Sequence, residues 1–134
     1  MDFDELVERL RFEAQNLGWY ILDGHEPKKV SFEEFAAWKM ADDEAYKQGQ
    51  KSKCQVACTV IGPARISTVF LSLPHIGPGG TCDYFFETMI FGGPLDQEQF
   101  RYKTWSQAEA GHAVACGLVR QALAGAGEER SFVE

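Results

Sequence analysis

The apolar positions of this 134-residue chain recur at two spacings, and each spacing predicts its own kind of secondary structure. In residues 1–18 they fall at every third or fourth position, which predicts an N-terminal helix that ends at Gly18. The segment WYIL that follows predicts a short strand. The next segment, DGHEP, carries turn-forming residues and predicts that the chain reverses its direction there.

Two more helices are predicted from capping boxes, in which a Ser or Thr and a Glu or Gln three residues later satisfy free backbone N–H groups at the helix start. Ser31 and Glu34 begin one of these helices, and it is expected to end at Gly49. Thr104 and Gln107 begin the last helix, whose small residues allow close packing against a sheet. We expect residues 124–134 to form a mobile tail.

Four strand candidates lie between these two helices, joined by three short connections that all contain Gly and Pro. They are CQVACTVI, ARISTVFLSL, CDYFFETMIF and FRYK. Short connections suit antiparallel neighbours, so the simplest topology is an antiparallel meander. The sequence therefore predicts one α+β domain, 1–134, in which a four- to five-stranded antiparallel meander sheet packs with about three helices.

The third of these strands carries bulky residues on both of its faces. Phe85, Glu87 and Phe91 share one face, whereas Phe86 and Ile90 share the other, because side chains alternate along a strand. A strand that is apolar on both faces is expected to be covered on both sides. Helices on both faces would provide this cover, and so would a second copy of the chain in a homodimer.

The chain has a net charge of −7, and most of this charge lies in its first part. Residues 1–50 contain 12 of the 20 acidic and 6 of the 13 basic side chains, so their net charge is −6. An acidic surface repels phosphates and attracts basic surfaces, which argues against direct nucleic-acid binding. Binding to a basic protein and simple solubility are the two interpretations that stay open.

The cysteines and the N-terminus bear on metal binding and location. Cys54 and Cys58 lie in a predicted strand about 13 Å apart, too far to share one metal ion, whereas His112 and Cys116 share one side of a helix. With no CxxC spacing, we predict no metal and no cofactor, and expect thiols that are free and mostly buried. The acidic, helical start MDFDELVERL and the lack of a long apolar run predict a cytoplasmic protein.

Glu87 is a carboxylate within an apolar strand, so it must be paired with a cation, be protonated or take part in the function of the protein. In a meander, Arg101 of the next strand is its natural partner, and an ion pair would satisfy both groups. Alternatively, Glu87 and Arg101 line a ligand pocket with His75 and His112. An enzyme that uses Glu87 with either histidine is a further alternative, but no catalytic motif supports it, and we predict no enzymatic activity.

The stretch from ISTVFLSLPH through FFETMIFGGPLDQEQFRYKTWSQAEAGH resembles a group of small proteins encoded in bacteriophage and prophage genomes. The motifs match in order and spacing from about residue 19 to about residue 120, and they depart at Pro74, where the group has an acidic residue. The resemblance implies that the protein acts inside a bacterium for a mobile element. By analogy with anti-CRISPR proteins, it also implies a role against host defence.

Two binding functions follow from these observations. In the first, the acidic second helix binds a basic, nucleic-acid-binding surface of a bacterial defence protein or complex, such as a CRISPR effector, and blocks it without catalysis. The candidate contact residues of that helix are Glu33, Glu34, Asp42, Asp43, Glu44 and Tyr46. In the second, the pocket of His75, Glu87, Arg101 and His112 captures a small molecule, such as a nucleotide signal of the host.

Overall fold

The structure is a computed structural model that describes residues 2–7, 18–76 and 80–133, with side chains of the last helix described as far as residue 126. Residues 3–7 are helical (α1), and the remainder of the predicted N-terminal helix lies outside the described residues. The other elements, in chain order, are β1 (Trp19–Asp23), β2 (Glu26–Val30), α2 (Phe32–Lys47), β3 (Gln55–Ile61), β4 (Ala64–His75), β5 (Tyr84–Phe91), β6 (Gln99–Tyr102) and α3 (Trp105–Val133).

The strands form two antiparallel sheets, which confirms the predicted α+β class and the meander. Strands β3, β4, β5 and β6 are neighbours in chain order in the larger sheet. Strands β1 and β2 form a separate two-stranded hairpin, with Trp19 opposite Val30. The second strand of this hairpin was not predicted, because its sequence EPKKV carries a proline and three charged residues instead of an alternating apolar pattern.

Both predicted capping boxes begin their helices. The Ser31 hydroxyl oxygen accepts the Glu34 backbone N–H at 3.1 Å, and Thr104 accepts the Gln107 N–H at the same distance. The end of α3 differs from the prediction, because the helix continues through the expected tail to Val133. Alanine, glutamate and arginine in this segment favour a helix. The mobility of residues 124–134 stays a prediction.

Helix α3 packs across one face of the four-stranded sheet and builds the main core with it. Ile66 of β4 and Ile90 of β5 are fully buried there against Ala115 and Val119 of α3. At the start of α3, a second cluster joins the sheet to the hairpin and α2, with the Trp38 ring 6.3 Å from that of Phe70. The alternation predicted for β5 is therefore confirmed, since its even-numbered residues face α3.

The opposite face of the sheet is covered over only part of its area by the residues that the structure describes. Phe85 packs against Tyr20 of the hairpin, with ring centroids 4.7 Å apart. Farther along this face Val60 is 69% exposed and Phe91 37%, and the Arg65 guanidinium lies 4.5 Å above the Phe91 ring. The described elements of this chain therefore do not cover this part of the sheet, and cover by a second copy in a homodimer stays a prediction.

Candidate functional site

Helix α2 carries all six residues that were predicted to contact a partner, but it does not present them on one surface. Asp42 is buried, with 2% of its surface exposed. One of its oxygens accepts the Ser52 hydroxyl at 2.6 Å, and the other accepts the Lys53 backbone N–H at 2.7 Å. Asp42 therefore ties the connection before β3 to α2 and is not available to a partner, which corrects the prediction for this residue.

The other five predicted residues of α2 are exposed, in different local settings. Glu34 belongs to the helix cap, and Asp43 pairs with the Lys39 ammonium at 3.4 Å. Tyr46 is 64% exposed, but it lies two residues after Glu44 and so points to the opposite side of the helix.

One side of α2 is exposed along its whole length, and we call it the outer surface of α2. Its members lie one, three or four residues apart and are Glu33, Ala37, Met40, Ala41 and Glu44. Met40 is 72% exposed, and the two small alanines beside it leave its thioether side chain standing clear of the helix. This surface has an apolar centre with a carboxylate towards each end.

The predicted ion pair within the sheet is present. Glu87 and Arg101 lie directly opposite each other on β5 and β6, and the Arg101 Nε donates to a Glu87 carboxylate oxygen at 3.1 Å. The Glu87 side chain is 16% exposed and that of Arg101 34%, on the sheet face that points away from α3. The prediction that Arg101 is the partner of Glu87 is therefore confirmed.

His112 lies on the other side of the sheet, within a buried chain of hydrogen bonds beneath α3. Its Nδ1 lies 2.7 Å from the Thr68 hydroxyl oxygen and its Nε2 lies 2.9 Å from that of Thr59. The Thr68 hydroxyl is in turn hydrogen-bonded to the Thr88 hydroxyl, with the two oxygens 2.5 Å apart, and the Tyr102 hydroxyl donates to the Thr88 oxygen at 3.1 Å. These hydrogen bonds thus connect all four strands of the larger sheet. Burial of the imidazole lowers the pKa of His112.

The four residues of the predicted pocket are therefore not brought together. The sheet itself separates His112 from Glu87 and Arg101, because neighbouring strand residues such as Glu87 and Thr88 point to opposite faces. His75 is exposed at the end of β4, opposite Tyr84. The structure assembles no common pocket from these residues.

A shallow cavity of about 290 Å³, widely open to solvent, lies elsewhere, between the hairpin turn, the connection before β3 and the start of α3. It is lined by Gly24, His25, Lys51, Ser52, Lys53, Gln55 and Trp105. The His25 and Trp105 rings stack in parallel, with centroids 3.7 Å apart and an interplanar angle of 1°. No sequence pattern predicted this group of residues, because its members come from three distant segments. The two lysines in the polar segment QKSK are the one signal that pointed to it.

The thiols and the acidic side chains form no recognisable metal site in the part of the chain that the structure describes. No three His, Cys, Asp or Glu side chains converge there in a way that could hold an ion. Of the cysteines, Cys116 is buried, Cys54 and Cys82 are half-buried, and Cys58 is exposed. The expectation of mostly buried thiols is thus correct for Cys116 alone.

No helix among the described residues has an apolar segment long enough to cross a membrane. Comparisons with models of protein families, with curated proteins and with solved structures give no match to this chain.

Proposed function

We propose that the protein acts by binding, without catalysis, to a basic surface of another protein through the outer surface of α2. The observation that carries this proposal is the exposure of Met40, at 72%, between Glu33 and Glu44 on a single side of the helix. Exposed methionine is common at protein interfaces because its flexible side chain fills shallow apolar pockets. The carboxylates at either end would select a partner whose pocket is surrounded by lysine or arginine.

The charge distribution supports the same partner. The net charge of −6 in residues 1–50 would speed the encounter with a basic surface over and above the contacts themselves. Asp43 adds little to this attraction, because its charge is already paired with Lys39. Tyr46 points away from the outer surface of α2 and would contact the partner only if the partner extended around the end of the helix.

The biological role that we propose is counter-defence in a bacterium. The basic surface would belong to a defence protein or complex that binds nucleic acid, such as a CRISPR effector, and the protein would occupy that surface in place of the nucleic acid. The support for this role is the resemblance to phage-encoded proteins together with the acidic charge. The resemblance also implies that the protein works in the cytoplasm of the host cell.

Co-purification from a CRISPR-bearing bacterium tests this proposal. The tagged protein is compared with the charge reversal Glu33→Lys/Glu44→Lys and with Glu98→Lys/Glu109→Lys, which changes the net charge equally at exposed positions away from α2. We expect the wild type and the second variant to retain a basic partner in stoichiometric amount, and the first variant to lose it. A partner that both variants retain, or both lose, would contradict the proposed surface.

The alternative function, capture of a small molecule such as a nucleotide signal, loses its predicted site, because His75, Glu87, Arg101 and His112 do not share a pocket. An enzyme that combines Glu87 with His112 meets the same obstacle, since the sheet separates the two side chains.

A further inference from the structure

The cavity beside the hairpin turn is basic, although the chain as a whole is acidic. Its lining includes Lys51 and Lys53, and no described acidic residue forms an ion pair with either of them. Lys51 donates one hydrogen bond to the Val56 carbonyl at 3.4 Å, which leaves two of its three protons for a ligand. Trp105 places the start of α3 at the same cavity, and the first turn of this helix has no acidic residue to neutralise its positive end.

Hydrogen bonds to Asp42 hold the segment that carries the two lysines in place. The buried carboxylate of Asp42 binds both the Ser52 hydroxyl and the Lys53 backbone N–H, and Ser52 in turn accepts the Cys54 N–H at 3.2 Å. Both Asp42 oxygens are therefore occupied, and the residue does not line the cavity. The backbone at Ser52 and Lys53 is therefore fixed before a ligand binds, which lowers the backbone part of the entropy cost of binding.

The lining also includes two aromatic side chains. His25 lies flat on Trp105, with ring centroids 3.7 Å apart, and it is exposed in the turn of the hairpin. Flat rings bind to such faces by stacking, with little dependence on the identity of the ring. Gln55 also belongs to the lining and provides an amide that can both donate and accept hydrogen bonds.

The cavity therefore combines positive charge, a stacking face and an amide within about 290 Å³, close to the lower end of the volumes of small-molecule sites. We propose that it binds a small phosphorylated ligand with an aromatic ring, such as a nucleoside monophosphate, with the phosphate at Lys51 and Lys53 and the ring on His25. This site shares no residue with the outer surface of α2, so a result that contradicts one proposal does not contradict the other.

Calorimetry at low ionic strength tests the ligand class with the full chain, using AMP, adenosine, ribose 5-phosphate and inorganic phosphate as probes. We expect saturable binding of AMP, and affinities at least about tenfold lower for adenosine, which lacks the phosphate, and for ribose 5-phosphate, which lacks the ring. In NMR spectra, AMP should shift the ring signals of His25 and Trp105. Absence of saturable AMP binding, or equal affinity for AMP and inorganic phosphate, would overturn the proposal.

The lysines are tested with Lys51→Gln/Lys53→Gln and with the matched control Lys28→Gln/Lys47→Gln, which removes two exposed charges outside the cavity. We expect the first variant to lose at least about tenfold in AMP affinity and the control to lose much less. The single variant Lys53→Gln keeps the Lys51 contact with Val56 and serves if the double variant does not fold. Unchanged affinity in the folded cavity variant, or an equal loss in the control, refutes the assignment.

Discussion

Asp42 and Asp43 are neighbours of the same type on α2, and the structure predicts opposite consequences for their replacement by alanine. Asp42 is 2% exposed and accepts hydrogen bonds at 2.6 and 2.7 Å from Ser52 and Lys53. The Asp43 side chain is 57% exposed and has one ion pair, with Lys39 at 3.4 Å. Each residue lies inside the helix, so the gain in helix propensity on replacement by alanine is the same for both.

The magnitude follows from the contacts that are lost. A hydrogen bond to a charged group contributes about 1.5–3 kcal/mol, and two are lost in Asp42→Ala. Because both hydrogen bonds are only partly buried, we take the lower end and expect a loss of about 3 kcal/mol in the free energy of unfolding. An exposed ion pair between residues four apart contributes about 0.3–0.5 kcal/mol, which sets the expectation for Asp43→Ala.

Urea denaturation followed by circular dichroism measures both variants against the wild type. A loss of about 3 kcal/mol is a large part of the roughly 5–15 kcal/mol that stabilises a domain, so the shift in midpoint is easily resolved. Asp42→Asn, which keeps one acceptor oxygen, should fall between the two alanine variants. If Asp42→Ala lies within about 1 kcal/mol of Asp43→Ala, Asp42 does not have the structural role described.

Three other predictions concern the sheet and α3. Thermal unfolding should show that Gly111→Ala destabilises the protein by about 1–3 kcal/mol, because the new methyl group would overlap the Tyr102 ring, whereas Gly117→Ala, with open space around it, should stabilise by about 0.5–1 kcal/mol. Burial lowers the pKa of His112, so the unfolded chain takes up the proton first, and stability should fall as the pH drops below about 6.5; His112→Gln should remove this part of the pH dependence in urea titrations. Glu87→Gln should cost less than about 1 kcal/mol in the same assay, since its cross-strand partner is 34% exposed, and a larger loss would mean that the pair does more than join two strands.

Local patterns in the sequence were sufficient to predict the strands of the larger sheet and their order. The alternation in FFETMIF and the short connection to FRYK place Glu87 and Phe86 on opposite faces and bring Arg101 beside Glu87, and both features are present. The capping boxes likewise located the starts of α2 and α3, because a cap depends on residues only three positions apart.

The features that escaped prediction depend on contacts between distant segments. Asp42 looked like a surface charge because its partners, Ser52 and Lys53, lie ten and eleven residues farther along the chain. The cavity of His25 and Trp105 joins residues 80 positions apart, which no spacing rule connects. The prediction of a pocket of four polar residues was wrong for a different reason. It rested on residue type alone and left out the face of the sheet on which each side chain lies.

The central claim is that the outer surface of α2 contacts a basic partner, and photo-crosslinking inside a CRISPR-bearing bacterium tests it most directly. A photoreactive amino acid replaces Met40 on that surface in one experiment and Val60 on the open face of the sheet in another; the two side chains are 72% and 69% exposed. We expect a covalent adduct with a basic protein from position 40 and no adduct with that protein from position 60, where an adduct between two copies of the chain would instead report the homodimer. A basic protein attached from position 60 alone, or from neither position, would contradict the proposed surface.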